Sequence, residues 1–305
     1  MRLGVLDVGS NTVHLQVVDT SPGARPNPTF NYKEELRLTQ YIDENNLVSE
    51  EGIRKLRECI QRAIAQSASV KTQELLPFAT SALREASNGE EIISSINKDF
   101  RIDLQVLTGE EEAKLTFLAA RRWFGWSSGR LLVIDIGGGS LEMAVGIDET
   151  PEVATSLPLG AARLTKNFLK GDPYTDKSLR ILRDHIEDKL EQVLPSLVKH
   201  QDTDRAIATS KTLRTIARLS GDWFDGTGKN ITIDAIRKIS TKLSEMKESE
   251  RAKLPGVSEN RASQIVAGAL VAESVMRNLD IKELEICPWA LREGLVLKWL
   301  DWMEA

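Results

Sequence analysis

Two short segments of the sequence place an aspartate at the end of an apolar run and directly before a glycine-rich turn. The first reads DVGSNT at 7–12, and the second reads DIGGGS at 135–140. Glycine leaves backbone N–H groups accessible, so such a turn can bind a phosphate group. A carboxylate beside a phosphate requires a cation between them, and oxygen ligands favour Mg²⁺. The pattern therefore predicts two phosphate-binding turns with metal-binding carboxylates, Asp7 and Asp135.

The two turns also have an ordinary structural interpretation. Glycine turns commonly join two strands, and an aspartate at a strand end often caps the turn. Because both copies carry a hydroxyl residue beside the glycines, phosphate binding is the preferred interpretation. The predicted phosphate-binding residues are Gly9, Ser10, Asn11 and Thr12 in the first turn and Gly137, Gly138, Gly139 and Ser140 in the second.

Glu142 is the one charged residue in the apolar segment that follows the second turn. Side chains alternate between the two faces of a strand, so Glu142 has apolar neighbours. A carboxylate in such surroundings costs solvation free energy unless it meets a metal or a hydrogen-bond donor. Glu142 is therefore a third predicted metal-binding residue, and an exposed position at a sheet edge is the alternative.

Hydrophobic periodicity predicts the elements that position these residues. In the first half, strands are expected at 2–8, 12–19, 74–80 and 102–107, a helix at 50–66 and a surface loop at 21–29. In the second half, an antiparallel meander is expected at 131–136, 141–147 and 152–157. Later strands are expected at 205–209 and 283–287, and helices at 176–199, 211–219, 232–248, 260–278 and from about 290.

The alternation of strands and helices favours an α/β fold, and the repeated opening motif favours two related domains. The polar, glycine-flanked segment GWSSG at 125–129 is the best boundary between them. The expected domains are therefore 1–127 and 128–305.

Bulk composition excludes several classes of protein. The 305 residues are 41% hydrophobic with a net charge of −5, which gives no overall attraction to nucleic acid or to a membrane surface. No segment has the roughly 20 apolar residues of a membrane span. The two cysteines, Cys59 and Cys287, fit no disulfide or metal spacing, which favours a reducing compartment and a cytoplasmic protein. Signatures of zinc proteases, of serine hydrolases and of P-loop nucleotide-binding proteins are missing from the sequence.

Five ordered motifs resemble those of the exopolyphosphatase and guanosine pentaphosphate phosphohydrolase (Ppx/GppA phosphatase) family, within the superfamily of sugar kinases, heat-shock ATPases and actin. They read DVGSNTVHL at 7–15, ATSALREASN at 79–88, TGEEEAKL at 108–115, DIGGGSLEM at 135–143 and SLPLGAARL at 156–164. The resemblance covers nearly the whole chain. It implies two actin-like, ribonuclease H-like domains with the two glycine turns facing a cleft between them.

The resemblance assigns a role to Glu112, which matches the glutamate that activates the attacking water in the family. By sequence alone, the adjacent Glu110 and Glu111 are equally suited to a first helical turn, where the helix dipole favours acidic residues. Thr108 and Glu111 have the spacing of a capping box. Arg84 matches a phosphate-binding arginine, and a guanidinium can bind two phosphate oxygens at once.

A third phosphate-binding region is expected at Ser210, Lys211 and Thr212, where the sequence departs from the family. Relatives commonly have a small residue at the position of Lys211, so the lysine either removes a backbone nest or supplies a cation for phosphate. Lys211, Arg214 and Arg218 share one helix face, which is alternatively a solvated basic surface. Ser263 and Pro288 are further departures, which affect the expected nucleotide or effector specificity rather than catalysis.

The expected function is Mg²⁺-dependent release of orthophosphate from the end of inorganic polyphosphate. Hydrolysis of guanosine pentaphosphate to the tetraphosphate is the alternative within the same chemistry. An ATP-binding kinase or ATPase, and a nucleotide or polyphosphate sensor without turnover, are alternatives from other classes. The resemblance also implies a homodimer, with neither nucleic acid nor membrane as partner.

Overall fold

The computed structural model describes residues 1–21, 25–199, 202–224 and 226–304, without the side chain of the last of these. Three residues of the loop expected at 21–29 therefore lie outside the description. Two compact units are present: Met1–Leu115 with the chain from Leu291 onward, and Thr116–Ala290. The C-terminal helix belongs to the first unit.

The sheet of the first unit contains β1 (Arg2–Val8), β2 (Thr12–Asp19), β3 (Pro28–Glu35), β4 (Glu74–Ala79) and β5 (Gln105–Val106). The strand order is β3-β2-β1-β4-β5. The pairs β1–β2 and β2–β3 are antiparallel, while β1–β4 and β4–β5 are parallel. The expected strands at 2–8, 12–19 and 74–80 are confirmed, and the one at 102–107 is reduced to two residues. Strand β3 was not expected.

The helices of the first unit are α1 (Glu50–Ser69), α2 (Ser81–Arg84), α3 (Gly89–Phe100), the first turns of α4 (Gly109–Phe124), and the C-terminal helix, which is α13 in chain order (Leu291–Glu304). The helix expected at 50–66 is thus confirmed as α1, whose N-cap Ser49 accepts a hydrogen bond from the Gly52 amide. Strand β1 is covered on both faces, by α1 and by α13. Burial on both faces explains why β1 is an almost continuous apolar run.

The sheet of the second unit contains β6 (Leu131–Ile136), β7 (Leu141–Gly146), β8 (Val153–Leu157), β9 (Arg205–Ala208), β10 (Asn230–Thr232) and β11 (Glu283–Ile286). The order is β10-β11-β9-β6-β7-β8. The expected antiparallel meander β6-β7-β8 is confirmed, and β6–β9 and β9–β11 are parallel. The series β8-β7-β6-β9-β11 therefore repeats the order and directions of the first sheet.

The helices of the second unit are α5 (Ala161–Phe168), α6 (Asp176–Glu191), α7 (Leu194–Val198), α8 (Lys211–Phe224), α9 (Ile233–Glu245), α10 (Glu248–Arg251), α11 (Glu259–Ala262) and α12 (Ile265–Asn278). The helices expected at 176–199 and 260–278 each occur as two successive helices, and those expected at 211–219 and 232–248 are α8 and α9. Helix α12 is buried almost all round and lies at the centre of the core of this unit. No helix in the described part of the chain is both long enough and apolar enough to span a bilayer.

Two units with the same five-strand order and the same mixture of antiparallel and parallel pairs confirm the expected α/β fold of two similar actin-like domains. In each unit the first two strands enclose a glycine turn, and the site residues predicted from the sequence lie around these turns.

Candidate active site

The first glycine turn, between β1 and β2, is held by hydrogen bonds to its carbonyl groups. The Gly9 amide donates to the Thr12 carbonyl at 3.0 Å, which closes the turn. The Ser10 carbonyl accepts a hydrogen bond from the amide of residue 38. The Asn11 carbonyl accepts hydrogen bonds from the amides of residues 36 and 37. The Ser10 hydroxyl is buried and lies 3.1 Å from the hydroxyl of Ser81 at the start of α2. The turn is thus fixed by the chain that follows β3.

The second glycine turn, between β6 and β7, is held in the same way by the start of α5. The Gly137 amide donates to the Ser140 carbonyl at 2.9 Å, and the Gly137 and Gly138 carbonyls accept from the first amides of α5. Arg163 Nε donates to the Gly139 carbonyl at 2.7 Å. Within the described residues, the amides of Gly138, Gly139 and Ser140 make no protein hydrogen bond. These three N–H groups are therefore available to an anion.

Gly160, directly before α5, is required by the shape of this turn. A Cβ atom at Gly160 would lie 2.2 Å from the Gly139 carbonyl carbon and 2.3 Å from the Ser140 nitrogen. No side chain fits there, so the motif at 156–164 needs glycine to bring α5 against the turn.

Asp135 and Glu142 lie directly opposite each other on β6 and β7, so their side chains share one face of the sheet. Asp135 Oδ2 accepts a hydrogen bond from the Thr209 hydroxyl at the end of β9. Glu142 is 5% exposed, and its Oε1 accepts from the Ser156 hydroxyl at 2.9 Å. Glu142 is therefore buried beside Asp135 and does not occupy the exposed edge position that was its alternative.

Asp7 has a different environment from Asp135. Its Oδ2 accepts a hydrogen bond from Arg292 Nη1 at 2.9 Å, and Arg292 Nε donates to Gln16 at 3.2 Å. Gln16 in turn donates to Glu293 at 2.9 Å. Burial raises the pKa of Asp7, and Arg292 opposes this increase. A buried polar network thus connects the first residues of α13 with β1 and β2.

The residue opposite Asp7 on β2 is His14, at the position that Glu142 occupies in the second unit. Burial, and then the charge of Arg292, lower the pKa of His14 to about 4. The histidine is therefore neutral at pH 7. The first unit has one carboxylate where the second has two.

The two aspartates differ in how well they suit Mg²⁺. Within the described residues, no three His, Cys, Asp or Glu side chains form a cluster that could hold a metal ion. Mg²⁺ commonly uses one or two carboxylates with water and substrate phosphates instead. The pair Asp135 and Glu142 fits that donor set. Asp7 does not fit it in this structure, because the Arg292 guanidinium already occupies Oδ2.

Glu112 lies in the first turn of α4 and is 6% exposed. Its Oε1 accepts a hydrogen bond from Arg84 Nη1 at the end of α2. The same Arg84 nitrogen donates to the Leu107 carbonyl at 2.7 Å. The predicted catalytic base and the predicted phosphate-binding arginine are therefore in direct contact.

The neighbouring glutamates have other roles. Glu111 accepts from the Thr108 amide at 2.7 Å, and its own amide donates to the Thr108 hydroxyl at 3.2 Å, which confirms the capping box. These contacts lower the pKa of Glu111. Glu110 is exposed and forms an ion pair with Lys114 at 2.6 Å. Only Glu112 among the three points into the protein.

The third predicted region lies where β9 leads into α8. The Ser210 hydroxyl accepts from the Leu213 amide at 3.3 Å and so satisfies one amide at the start of α8. Thr212 is buried, and its Cγ2 lies against Gly268 of α12, so its side chain belongs to the core. Lys211 is partly exposed at the first position of the helix.

Sequence reasoning missed three residues that the structure brings to the turns. Arg292 contacts Asp7, and Arg163 contacts Gly139. Gly160 allows α5 to pack against the second turn. Gly160 and Arg163 lie inside a recognised motif, which was the available signal. Arg292 meets Asp7 across almost the whole chain, and only the fold brings the two together.

The paired units, each with a glycine turn after a carboxylate-bearing first strand, define a protein of the actin-like ATPase-fold class. Within that class, the chain belongs to the Ppx/GppA phosphatase family, whose sequence model matches residues 16–303.

Individual relatives agree with this assignment. The chain is 48% identical over 305 residues to exopolyphosphatase 1 of Mycobacterium tuberculosis, covering 99% of this chain and 89% of that protein. It is 27% identical to a guanosine-5'-triphosphate,3'-diphosphate pyrophosphatase of Vibrio parahaemolyticus, covering 97% of this chain and 59% of that one. The crystal structure of an exopolyphosphatase from Cytophaga hutchinsonii has the same fold, with a TM-score of 0.88 at 24% identity and coverage of 99% and 98%.

Proposed function

We propose that this protein is an exopolyphosphatase that releases orthophosphate from the end of inorganic polyphosphate. The observation that carries the proposal is the 48% identity to exopolyphosphatase 1 along almost the full length of both chains. The matched region covers 99% of this chain, so it spans the turns, α4 and the motif at 79–88.

Glu112 is the proposed general base. Hydrolysis of a phosphoanhydride needs a water molecule that is aligned with the leaving oxygen and loses a proton as it attacks. Glu112 accepts that proton while the bond from the water oxygen to phosphorus forms. The bridging bond from phosphorus to oxygen breaks, and the shortened polyphosphate leaves with the bridging oxygen. Arg84 orients Glu112 and is close enough to it to bind an oxygen of the same phosphoryl group.

The glycine turns are the proposed phosphate-binding elements. The three available amides of Gly138, Gly139 and Ser140 can stabilise negative charge on phosphoryl oxygens. The turn holds these amides in place, so no rearrangement is needed when the charge develops. Arg163 adds a positive charge directly beside them.

Asp135 and Glu142 are the proposed ligands of Mg²⁺, directly or through water. When bound, the ion supplies Lewis-acid neutralisation of phosphate charge. What supports the assignment is two adjacent carboxylates on one sheet face, one of them buried among apolar neighbours.

Guanosine pentaphosphate is the second candidate substrate, since a 27% identical relative carries the name of a pentaphosphate-hydrolysing enzyme. The two substrates are distinguished by measuring orthophosphate release from polyphosphate, guanosine pentaphosphate and ATP, each with and without Mg²⁺. We expect the highest kcat/KM for polyphosphate. Release from guanosine pentaphosphate alone, or from none of the three, would contradict the proposed function.

A homodimeric state and a cytoplasmic location are also proposed. The dimer follows from the family resemblance and is tested by light scattering of the purified protein. The location agrees with the two cysteines, Cys59 and Cys287, which are both free and buried. Fractionation of cells that express the protein tests it.

A further inference from the structure

The aspartate beside the first glycine turn already has a cation as its partner. Asp7 lies two residues before Gly9, and its Oδ2 accepts a hydrogen bond from Arg292 Nη1 at 2.9 Å. Negative groups repel each other, so a carboxylate beside a bound phosphate requires a cation between them. In the first unit this cation is a guanidinium that the chain itself supplies.

The corresponding position in the second unit has a different set of groups. Asp135 lies opposite Glu142, and these two carboxylates fit the donor set of Mg²⁺. Asp7 lies opposite His14, whose pKa is lowered to about 4 by burial and then by the charge of Arg292. His14 is neutral at pH 7 and adds no second carboxylate. Arg292 therefore occupies in the first unit the position of the Mg²⁺ proposed for the second.

The guanidinium of Arg292 is held by two of its nitrogens and open at the third. Nη1 donates to Asp7, and Nε donates to Gln16 at 3.2 Å. Nη2 makes no hydrogen bond to a described residue and is not one of their buried unpaired atoms. It therefore reaches solvent beside Asp7, in agreement with a side chain that is 23% exposed. A guanidinium already oriented by two acceptors loses little freedom when its third nitrogen binds an anion.

The start of α13, which carries Arg292, is fixed against the first sheet. A Cβ atom at Gly294 would lie 1.9 Å from the Leu115 carbonyl oxygen, so the helix packs there backbone to backbone. On the sheet side, Gln16 of β2 donates to Glu293 at 2.9 Å. These contacts on both sides of Arg292 hold its backbone in one place over the ends of β1 and β2.

The turn beside Arg292 offers further donors to an anion. Among the described residues, the Ser10 amide makes no protein hydrogen bond. A Cβ atom at Gly9 would lie 3.6 Å from Asp7 Oδ1, so the turn and the carboxylate are adjacent. Backbone N–H groups and a guanidinium are both common donors to phosphate oxygens.

We propose that Arg292 is a phosphate-binding residue, whose Nη2 donates to a phosphoryl oxygen of the substrate at the first glycine turn. The inference rests on the proposed function and adds one residue to its binding site. Asp7 and Gln16 keep the plane of the guanidinium in place while the phosphoryl group binds. Orthophosphate carries the same kind of oxygens, so the product should bind to Arg292 as well.

The test uses the full chain with Arg292→Gln, and with Asp7→Asn and Arg292→Gln together. The double variant removes both members of the ion pair, so no buried carboxylate is left without a partner. The matched control is Arg2→Gln. Arg2 pairs with Asp19 at 2.8 Å on the same two strands, at the end opposite the turn. Steady-state kinetics with tripolyphosphate, product inhibition by orthophosphate and the free energy of unfolding are measured for each protein.

Arg292→Gln should raise KM for tripolyphosphate and the inhibition constant of orthophosphate by about 10- to 100-fold, the range for a hydrogen bond to a charged group. The effect on kcat should be smaller, since the contact is made before the transition state as well as in it. The double variant should regain stability that the single variant loses, but both constants should stay raised. Arg2→Gln should match the wild type in both constants.

The double variant separates two roles of Arg292. If Arg292 served only to neutralise Asp7, removing both charges would restore the wild-type KM and inhibition constant, and this result would overturn the proposal. An Arg292→Gln protein with the same constants as Arg2→Gln would overturn it too.

A second readout does not depend on turnover. Orthophosphate should raise the melting temperature of the wild type more than that of the double variant, because a ligand stabilises the state that binds it. Equal stabilisation of the two proteins would show that Arg292 does not bind phosphate, and it would leave the proposed function intact. A wild-type protein that releases no phosphate from polyphosphate would instead overturn the proposed function.

Discussion

At the scale of single residues, the three successive glutamates at the start of α4 have three different environments. Glu110 pairs with Lys114 in solvent, Glu111 caps its own helix, and Glu112 is buried against Arg84. Three adjacent glutamates therefore differ in role: Glu110 lies at the surface, Glu111 stabilises the start of the helix, and Glu112 is the candidate for the chemistry. A helix turns by about 100° per residue, and this rotation separates the three roles.

The first prediction concerns Glu112. Replacement by glutamine keeps the shape and removes the ability to accept a proton, so Glu112→Gln should lower kcat for polyphosphate by about 10²–10⁴-fold. Substrate affinity should stay the same or increase, because one negative charge facing a polyanion is removed. Phosphate release and polyphosphate binding are the measurements.

Glu110→Gln and Glu111→Gln are the matched controls for this prediction. Both should keep near wild-type turnover, because Glu110 contacts only Lys114 in solvent and glutamine can replace Glu111 in the capping box. If Glu111→Gln were inactive and Glu112→Gln active, the base would be misassigned.

The second prediction distinguishes the two aspartates. Asp135→Asn should raise the Mg²⁺ concentration needed for half-maximal activity by at least about tenfold, since even outer ligands of metal sites contribute that much. Asp7→Asn should leave the Mg²⁺ requirement nearly unchanged, because the partner of Asp7 is Arg292. The measurement is phosphate release at a series of Mg²⁺ concentrations. An Asp135→Asn protein with the wild-type Mg²⁺ response would show that the metal assignment is incorrect.

At the scale of elements, α13 is fixed to the first unit by backbone contact as well as by side chains. A Cβ atom at Gly294 would lie 1.9 Å from the Leu115 carbonyl oxygen in α4. This close approach places the preceding residues, Arg292 and Glu293, over Asp7 and Gln16. Because residue 294 is glycine, α13 packs closely enough for Arg292 to form its ion pair with Asp7.

The third prediction follows from that contact. Gly294→Ala should destabilise the protein by about 1–3 kcal/mol, the usual cost of overpacking, because a carbonyl oxygen in a helix cannot move aside. The free energy of unfolding in denaturant is the measurement. Gly226→Ala is the control, since its Cβ would meet neighbours only at 3.5 Å or more. Equal stability of the two variants would mean that α13 does not pack as described.

At the scale of the whole molecule, the two sheets repeat one topology, but the repeat has diverged in its chemistry. The cross-strand pair is Asp and His in the first unit and Asp and Glu in the second. The first unit supplies Glu112 and Arg84, and the second supplies the available turn amides and the carboxylate pair. The two units therefore share a topology but carry different polar side chains at corresponding positions.

The fourth prediction concerns the contribution of the C-terminal helix to one unit. Removing the chain from Leu291 onward would expose the face of the first sheet that carries Leu3, Val5 and Phe78. Calorimetry of the shortened protein should show a lower melting temperature for the first unit, while the second unit, Thr116–Ala290, keeps its own transition. Equal loss of stability in both units would contradict the observed division of the chain.

The sequence by itself determined the local structure around the site. The strand, turn and strand units at 2–19 and 131–146, the capping box at Thr108 and the helix face shared by Lys211 and Arg218 follow from short-range patterns. These patterns depend on spacings of two to four residues, which any reader of the sequence can see. The choice of Glu112 as the base came from the family resemblance, and the structure shows that Glu112 is the buried one of the three glutamates.

Only the tertiary structure decided which distant residues meet. Arg292 pairs with Asp7 from the opposite end of the chain, and β3 forms although its mostly exposed residues carry little hydrophobic pattern. No local pattern encodes these contacts, because they depend on how complete sheets and helices pack. The same packing explains why the chain from Leu291 belongs to the first unit rather than to the second.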